Sequence, residues 1–149
     1  MRVYSVEYSR RNCWSAMILA VLLGIGLFFY CTLPLAQGQK MAAREERTAY
    51  LSSLGWDCEA QAETHKRVKL PESSTGSMKE YNEMQRVCGY DLAPYAGKTV
   101  DVYTLPITNY PGWSAPVYAV LYLYRGHLIG GDIHAAALDG FMIGLESRS

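Results

Sequence analysis

Residues 14–33 read WSAMILAVLLGIGLFFYCTL, a run without a single charge. At a helical rise of about 1.5 Å per residue, such a run matches a hydrocarbon core of roughly 30 Å, so the pattern predicts a transmembrane helix over residues 14–35. The run is longer than the apolar region of a cleaved signal sequence, ~7–15 residues, and Pro34-Leu35-Ala36 places proline where cleavage wants a small residue. An uncleaved anchor is expected. Cys31 follows Phe28, Phe29 and Tyr30, which are too bulky for a lipoprotein processing site, and reads as an interface residue beside aromatics.

Beyond a short polar stalk, residues 36–41, the period of the pattern becomes helical. Tyr50, Leu51 and Leu54 recur at three and four opposite Arg44, Glu45 and Ser52, which predicts a helix over residues 42–54 stopped by Gly55. From Trp56 to Leu70 the period changes to two. Trp56, Cys58, Ala60, Ala62 and Val68 alternate with polar residues, as in a strand with one wet face. After Pro71 and the Ser73-Ser74-Thr75-Gly76 cluster, a second helix carries Met78, Tyr81 and Met84 on one side. Ser77 and Glu80 stand at capping-box spacing, and Gly89 is the expected stop. Residues 90–97 read as a loop. Residues 99–107, 117–124 and 127–133 read as strands, the last two joined by a tight reversal at Arg125-Gly126, and residues 135–145 are expected to pack back on the sheet. The order α-β-α-β-β-β predicts an α+β domain over residues 42–149, with a mainly antiparallel sheet and its helices packed on one face.

Charge sets the topology of the anchor. The net charge is zero, but residues 1–14 hold Arg2, Arg10 and Arg11 against Glu7 alone, leaving the rest of the chain net acidic. Arg10 and Arg11 directly precede the apolar run, so residues 1–13 are expected in the cytoplasm and the domain outside the cytoplasmic membrane. The bilayer is then one partner, through residues 14–35. No stripe of clustered Lys and Arg extends beyond Lys66, Arg67 and Lys69, so a nucleic-acid partner is not expected.

Candidate chemistry is sparse. Asp132 and His134 lie two apart on one strand face and would need His127 or His65 to complete a metal site; no cofactor is expected. Gly130-Gly131-Asp132 lacks the helix with Lys and Ser or Thr that a phosphate loop requires, and the glycine pair instead suits a bulge or a close backbone crossing. Cys58 and Cys88 are an even pair on the outer side, where a disulfide is one alternative and two separate buried thiols the other. Twelve tyrosines are many for 149 residues, and Tyr118, Tyr122 and Tyr124, with Tyr103 on a neighbouring strand, form a tyrosine face. Exposed, that face is an interaction surface; covered, it is a second core.

The ordered series YLSSLGW (50–56), YNEMQ (81–85), GYDLAPYAGK (89–98), TNYPG (108–112), LYRGHLIGGDI (123–133) and LDGFMIGL (138–145) resembles a family of small bacterial proteins, mostly from Gram-positive anaerobes, classified as domain of unknown function 4830. Cys58 and Cys88 depart from its pattern, in which an aliphatic and a polar residue are expected. The resemblance implies a membrane-tethered extracytoplasmic domain and implies no activity. Together with the residues, it leads to the expectation of a non-catalytic binding or interaction domain whose partner is another envelope or membrane protein. The alternative is a small metal-dependent or hydrolytic envelope enzyme using Asp132 and His134.

Overall fold

The computed structural model describes residues 38–72 and 76–148. The expected cytoplasmic segment 1–13, the membrane segment 14–35 and the start of the stalk lie outside them, and among the described residues no helix is long and apolar enough to cross a membrane. The elements are α1 (Arg44–Ser53), β1 (Thr64–Lys69), α2 (Ser77–Val87), β2 (Thr99–Ile107), β3 (Val117–Tyr124), β4 (His127–Ala135) and β5 (Met142–Gly144). Single 3-10 turns stand at Ala60–Ala62 and Ala93–Tyr95. All five strands pair antiparallel in sequence order, β1-β2-β3-β4-β5, so the sheet is a meander.

The local chemistry accounts for the ends of these elements. Gly55 at φ 86° closes α1, with the Trp56 amide donating to Leu51 O at 3.0 Å, a Schellman ending that also brings Trp56 and Leu51 into one core cluster. Arg125 and Gly126, both at positive φ, make the two-residue turn whose twist suits the β3–β4 hairpin. α2 begins differently from expectation. Gly76 precedes its first turn without a side-chain cap, so Ser77 lies inside the helix and the Ser77–Glu80 capping box does not form.

The strand expected over residues 56–70 is interrupted. Cys58 bridges Ile107 and the 3-10 turn follows, with β1 starting only at Thr64. The break turns Glu63 inward to Arg47, where its side chain is 5 % exposed, although alternation alone puts it on the wet side. Residues 38–41 also differ from a stalk. Lys40 pairs with His127, the Leu128 amide donates to Gln39 O at 2.9 Å, and Met41 is fully buried. They close one part of the outer edge of β4, as β5 closes another at Asp132–His134.

The two helices lie on opposite faces of the sheet, which corrects the expected one-sided packing. Leu105, Ile107, Val117, Ala119, Leu121, Leu123, Leu128 and Ile133 form a core with Leu51 of α1, Met41, Trp56 and Leu145. Their alternates Val100, Val102 and Val120, with Ile129, form a second core with Leu70, Leu92 and Tyr95, against which Tyr81 of α2 packs. Side chains alternate along a strand, so these clusters lie on opposite faces. A sheet apolar on both faces needs a layer on each.

A groove between the second helix and the sheet

Asp132 and His134 are alternate residues of β4 and face the second core, in register with Val120 and Tyr118 of β3. The Tyr81 hydroxyl, from α2, donates to Asp132 Oδ2 at 2.6 Å, and His134 Nδ1 lies 2.7 Å from Asp132 Oδ1. Asp132 is 2 % exposed and accepts on both oxygens, so His134 Nδ1 is the donor and Nε2 is its free nitrogen. Burial and the neighbouring Asp132 charge push the Tyr81 hydroxyl far above its ordinary value, keeping it a donor. Burial also raises Tyr122, whose ring meets Tyr81 edge-on at 6.1 Å.

Gln85 sets the height of α2 above the sheet. Its side chain is fully buried, its Nε2 donates to Gly131 O at 2.8 Å and its Oε1 accepts from the Gly131 amide at 2.8 Å. The side-chain amide thus acts as one residue of a strand on the β4 edge, between the parts covered by residues 38–41 and by β5. Gly130 permits the approach, since a Cβ there would lie 2.7 Å from Gln85 Oε1. The sequence suggests a close crossing at the glycine pair, and Gln85 is what crosses. One turn along, Asn82 donates to Asp91 and accepts from the Leu92 amide, fixing the chain after α2.

Between α2 and the sheet these contacts leave a groove of about 850 Å³. Val68, Val102, Val120, Tyr118 and Tyr122 pave it, Met78, Met84 and Met142 add three thioethers, and Lys66, Glu80, Thr104, Asp132 and His134 supply polar atoms. That volume lies within the ~300–1,000 Å³ typical of small-molecule sites.

The other sequence candidates fall elsewhere. Tyr118, Tyr122 and Tyr124 share the groove face, half-buried, with Tyr124 tilted against Tyr95 at 5.3 Å. Tyr103 is on the opposite face, with the Arg47 guanidinium 3.6 Å from its ring centroid and His65 stacked on it at 4.6 Å. The face is therefore neither open nor fully covered, and Tyr103 does not belong to it. His65 instead approaches Asp101 at 2.9 Å, and His127 sits at the far end of β4 beside the turn, so neither joins Asp132 and His134. Among the described residues, no group of three His, Cys, Asp or Glu is placed to hold a metal. Cys58 and Cys88 are both free: Cys58 stands beside the end of β2, and Cys88 at the end of α2 against Gly144. Burial raises both thiols above their ordinary value.

In the sequence Tyr81 has the place of an apolar helix position, and Gln85 and Asn82 belong to no motif. The available signal was the spacing of Tyr81, Asn82 and Gln85, which puts two amides next to the expected apolar side of α2. A family model described as domain of unknown function (DUF4830) matches residues 50–133. No curated protein and no solved structure matches the chain.

Proposed function

The chain belongs to the domain of unknown function 4830 family, and from that premise we propose that it is a non-catalytic binding domain. Residues 14–35 tether it to the cytoplasmic membrane, the domain stands outside, and its ligand occupies the groove between α2 and the sheet. The uncharged run after Arg10 and Arg11 supports the tether and its direction. The groove supports binding and is the observation that carries this reading. Its lining is mostly apolar, its three methionines adapt their shape to a ligand, and a small number of polar side chains stand among them.

Methionine methyl NMR of the full-length protein in lipid nanodiscs tests this. With benzyl alcohol as a neutral probe, the Met78, Met84 and Met142 methyls are expected to shift along one saturable curve while the Met41 methyl, in the opposite core, stays in place. Groove methyls that do not respond, or a Met41 that moves in step with them, would remove the support for this site.

One observation favours a second reading, an enzyme that uses His134 as a base: the 2.7 Å contact with Asp132 orients the ring as a catalytic histidine is oriented. Ser77 also lines the groove, but no hydrogen bond joins it to His134. That reading requires turnover of a substrate that His134→Gln abolishes.

A further inference from the structure

Resting on the binding reading above, we infer that the groove takes an apolar organic ammonium, with the cationic head at His134 Nε2 over the buried Asp132 carboxylate and the apolar body against the valines and methionines. Three observations converge on this chemistry. Asp132 is 2 % exposed, and its side-chain hydrogen-bond partners are the Tyr81 hydroxyl and His134 Nδ1. A buried carboxylate held by a phenol and an imidazole leaves negative potential in the groove above it. Glu80, also on the groove wall, has the same sign.

Lys66 is the groove's cation, but it stands on β1, three strand spacings from β4. That separation is about 14 Å at ~4.8 Å per strand. The Lys66 backbone therefore stands apart from the Asp132 end of the groove.

The second observation is the direction of hydrogen bonding. With Nδ1–H given to Asp132, the Nδ1–H tautomer of His134 presents a lone pair at Nε2, an acceptor that meets a donor such as an ammonium N–H. The third is the aromatic neighbour. Tyr118 lies tilted with its ring centroid 6.1 Å from that of His134, so an aromatic ring that can attract a cation stands beside the site.

Three aromatic probes of similar size and different charge separate this inference from the reading beneath it. Benzylammonium, benzyl alcohol and benzoate are titrated into the full-length protein in nanodiscs, with the Met78, Met84, Met142 and Met41 methyls as reporters. The expected result is benzylammonium binding about tenfold more tightly than either other probe, with Asp132→Asn bringing the three affinities together. His134→Gln, which keeps the carboxylate and removes the ring, is the second variant, expected to weaken benzylammonium most; an unmoved Met41 methyl confirms folding in each. Groove methyls that respond to benzyl alcohol or benzoate as strongly as to benzylammonium would overturn the ammonium inference and leave the binding groove standing. No response to any probe would overturn both.

Discussion

Arg47→Met is expected to destabilise the domain by about 3–5 kcal/mol, because it leaves a buried carboxylate without its partner. Arg47 and Glu63 side chains are 4 % and 5 % exposed and meet through two contacts of 2.7 Å. The same guanidinium donates to Met41 O at 2.9 Å and Ala42 O at 2.8 Å and covers the Tyr103 ring. It therefore joins α1, the segment before it and the start of β1 in one cluster. Arg47→Lys is expected to recover only part of the loss, since one ammonium cannot reproduce the planar fork.

The sign of the pH dependence follows from Glu63. Burial alone would raise its carboxyl, but the hydrogen bonds and charges of Arg47 and Arg44 outweigh burial and hold it below the usual carboxylate value. A depressed folded-state value means that this contribution is fully present above the unfolded value, near pH 4.3, and is lost as pH falls through the folded one. Urea unfolding of wild type and Arg47→Met at neutral and acid pH checks this. The difference between them should shrink on acidification, and a difference independent of pH would assign the loss to packing alone.

Gln85→Leu is the second large effect, about 2–5 kcal/mol. Leucine fills a similar volume but leaves the Gly131 amide and carbonyl without partners, each worth ~1–3 kcal/mol when buried and unmet. Hydrogen exchange locates the change: the Gly131 amide should lose protection, while amides on the other side of the sheet change only with global stability. A Gly131 amide as protected as in wild type would show that another group has replaced Gln85. Because Gln85 holds α2 at its height, this variant is also expected to weaken probe binding in the groove.

These two residues show where sequence reading stopped. The helices, the β3–β4 hairpin and the antiparallel sheet were legible because each rests on a local signal: periods of 3.6 and 2, glycine at the end of α1, two turn residues between alternating strands. The placement of α2 on the second face was not, since alternation leaves the tyrosine face either an exposed surface or a second core, and nothing local says what covers Val100, Val102 and Val120. The break before β1 was hidden because Glu63 fits an alternating pattern as a solvent residue, and only its distant partner Arg47 makes it a buried one.

The candidate site divides in the same way. Asp132 and His134 were visible because strand alternation puts i and i+2 on one face. Tyr81 reaches Asp132 from 51 residues away in sequence and Gln85 reaches the Gly131 backbone from 46, through contacts that no local spacing encodes. Tyr103 was misplaced through register: β2 pairs it with Leu121, on the first face, and not with Tyr122.

The proposed binding in the groove is tested most directly by what the protein carries when it is isolated from cells. Thr104 lines the groove on β2, where tryptophan suits a strand and would fill the space above Val102 and Val120. Full-length wild type and Thr104→Trp, isolated intact from cells and weighed by native mass spectrometry, should differ. Wild type is expected to carry a bound small molecule that Thr104→Trp lacks, and identical bound masses on the two folded proteins would contradict a ligand held in this groove.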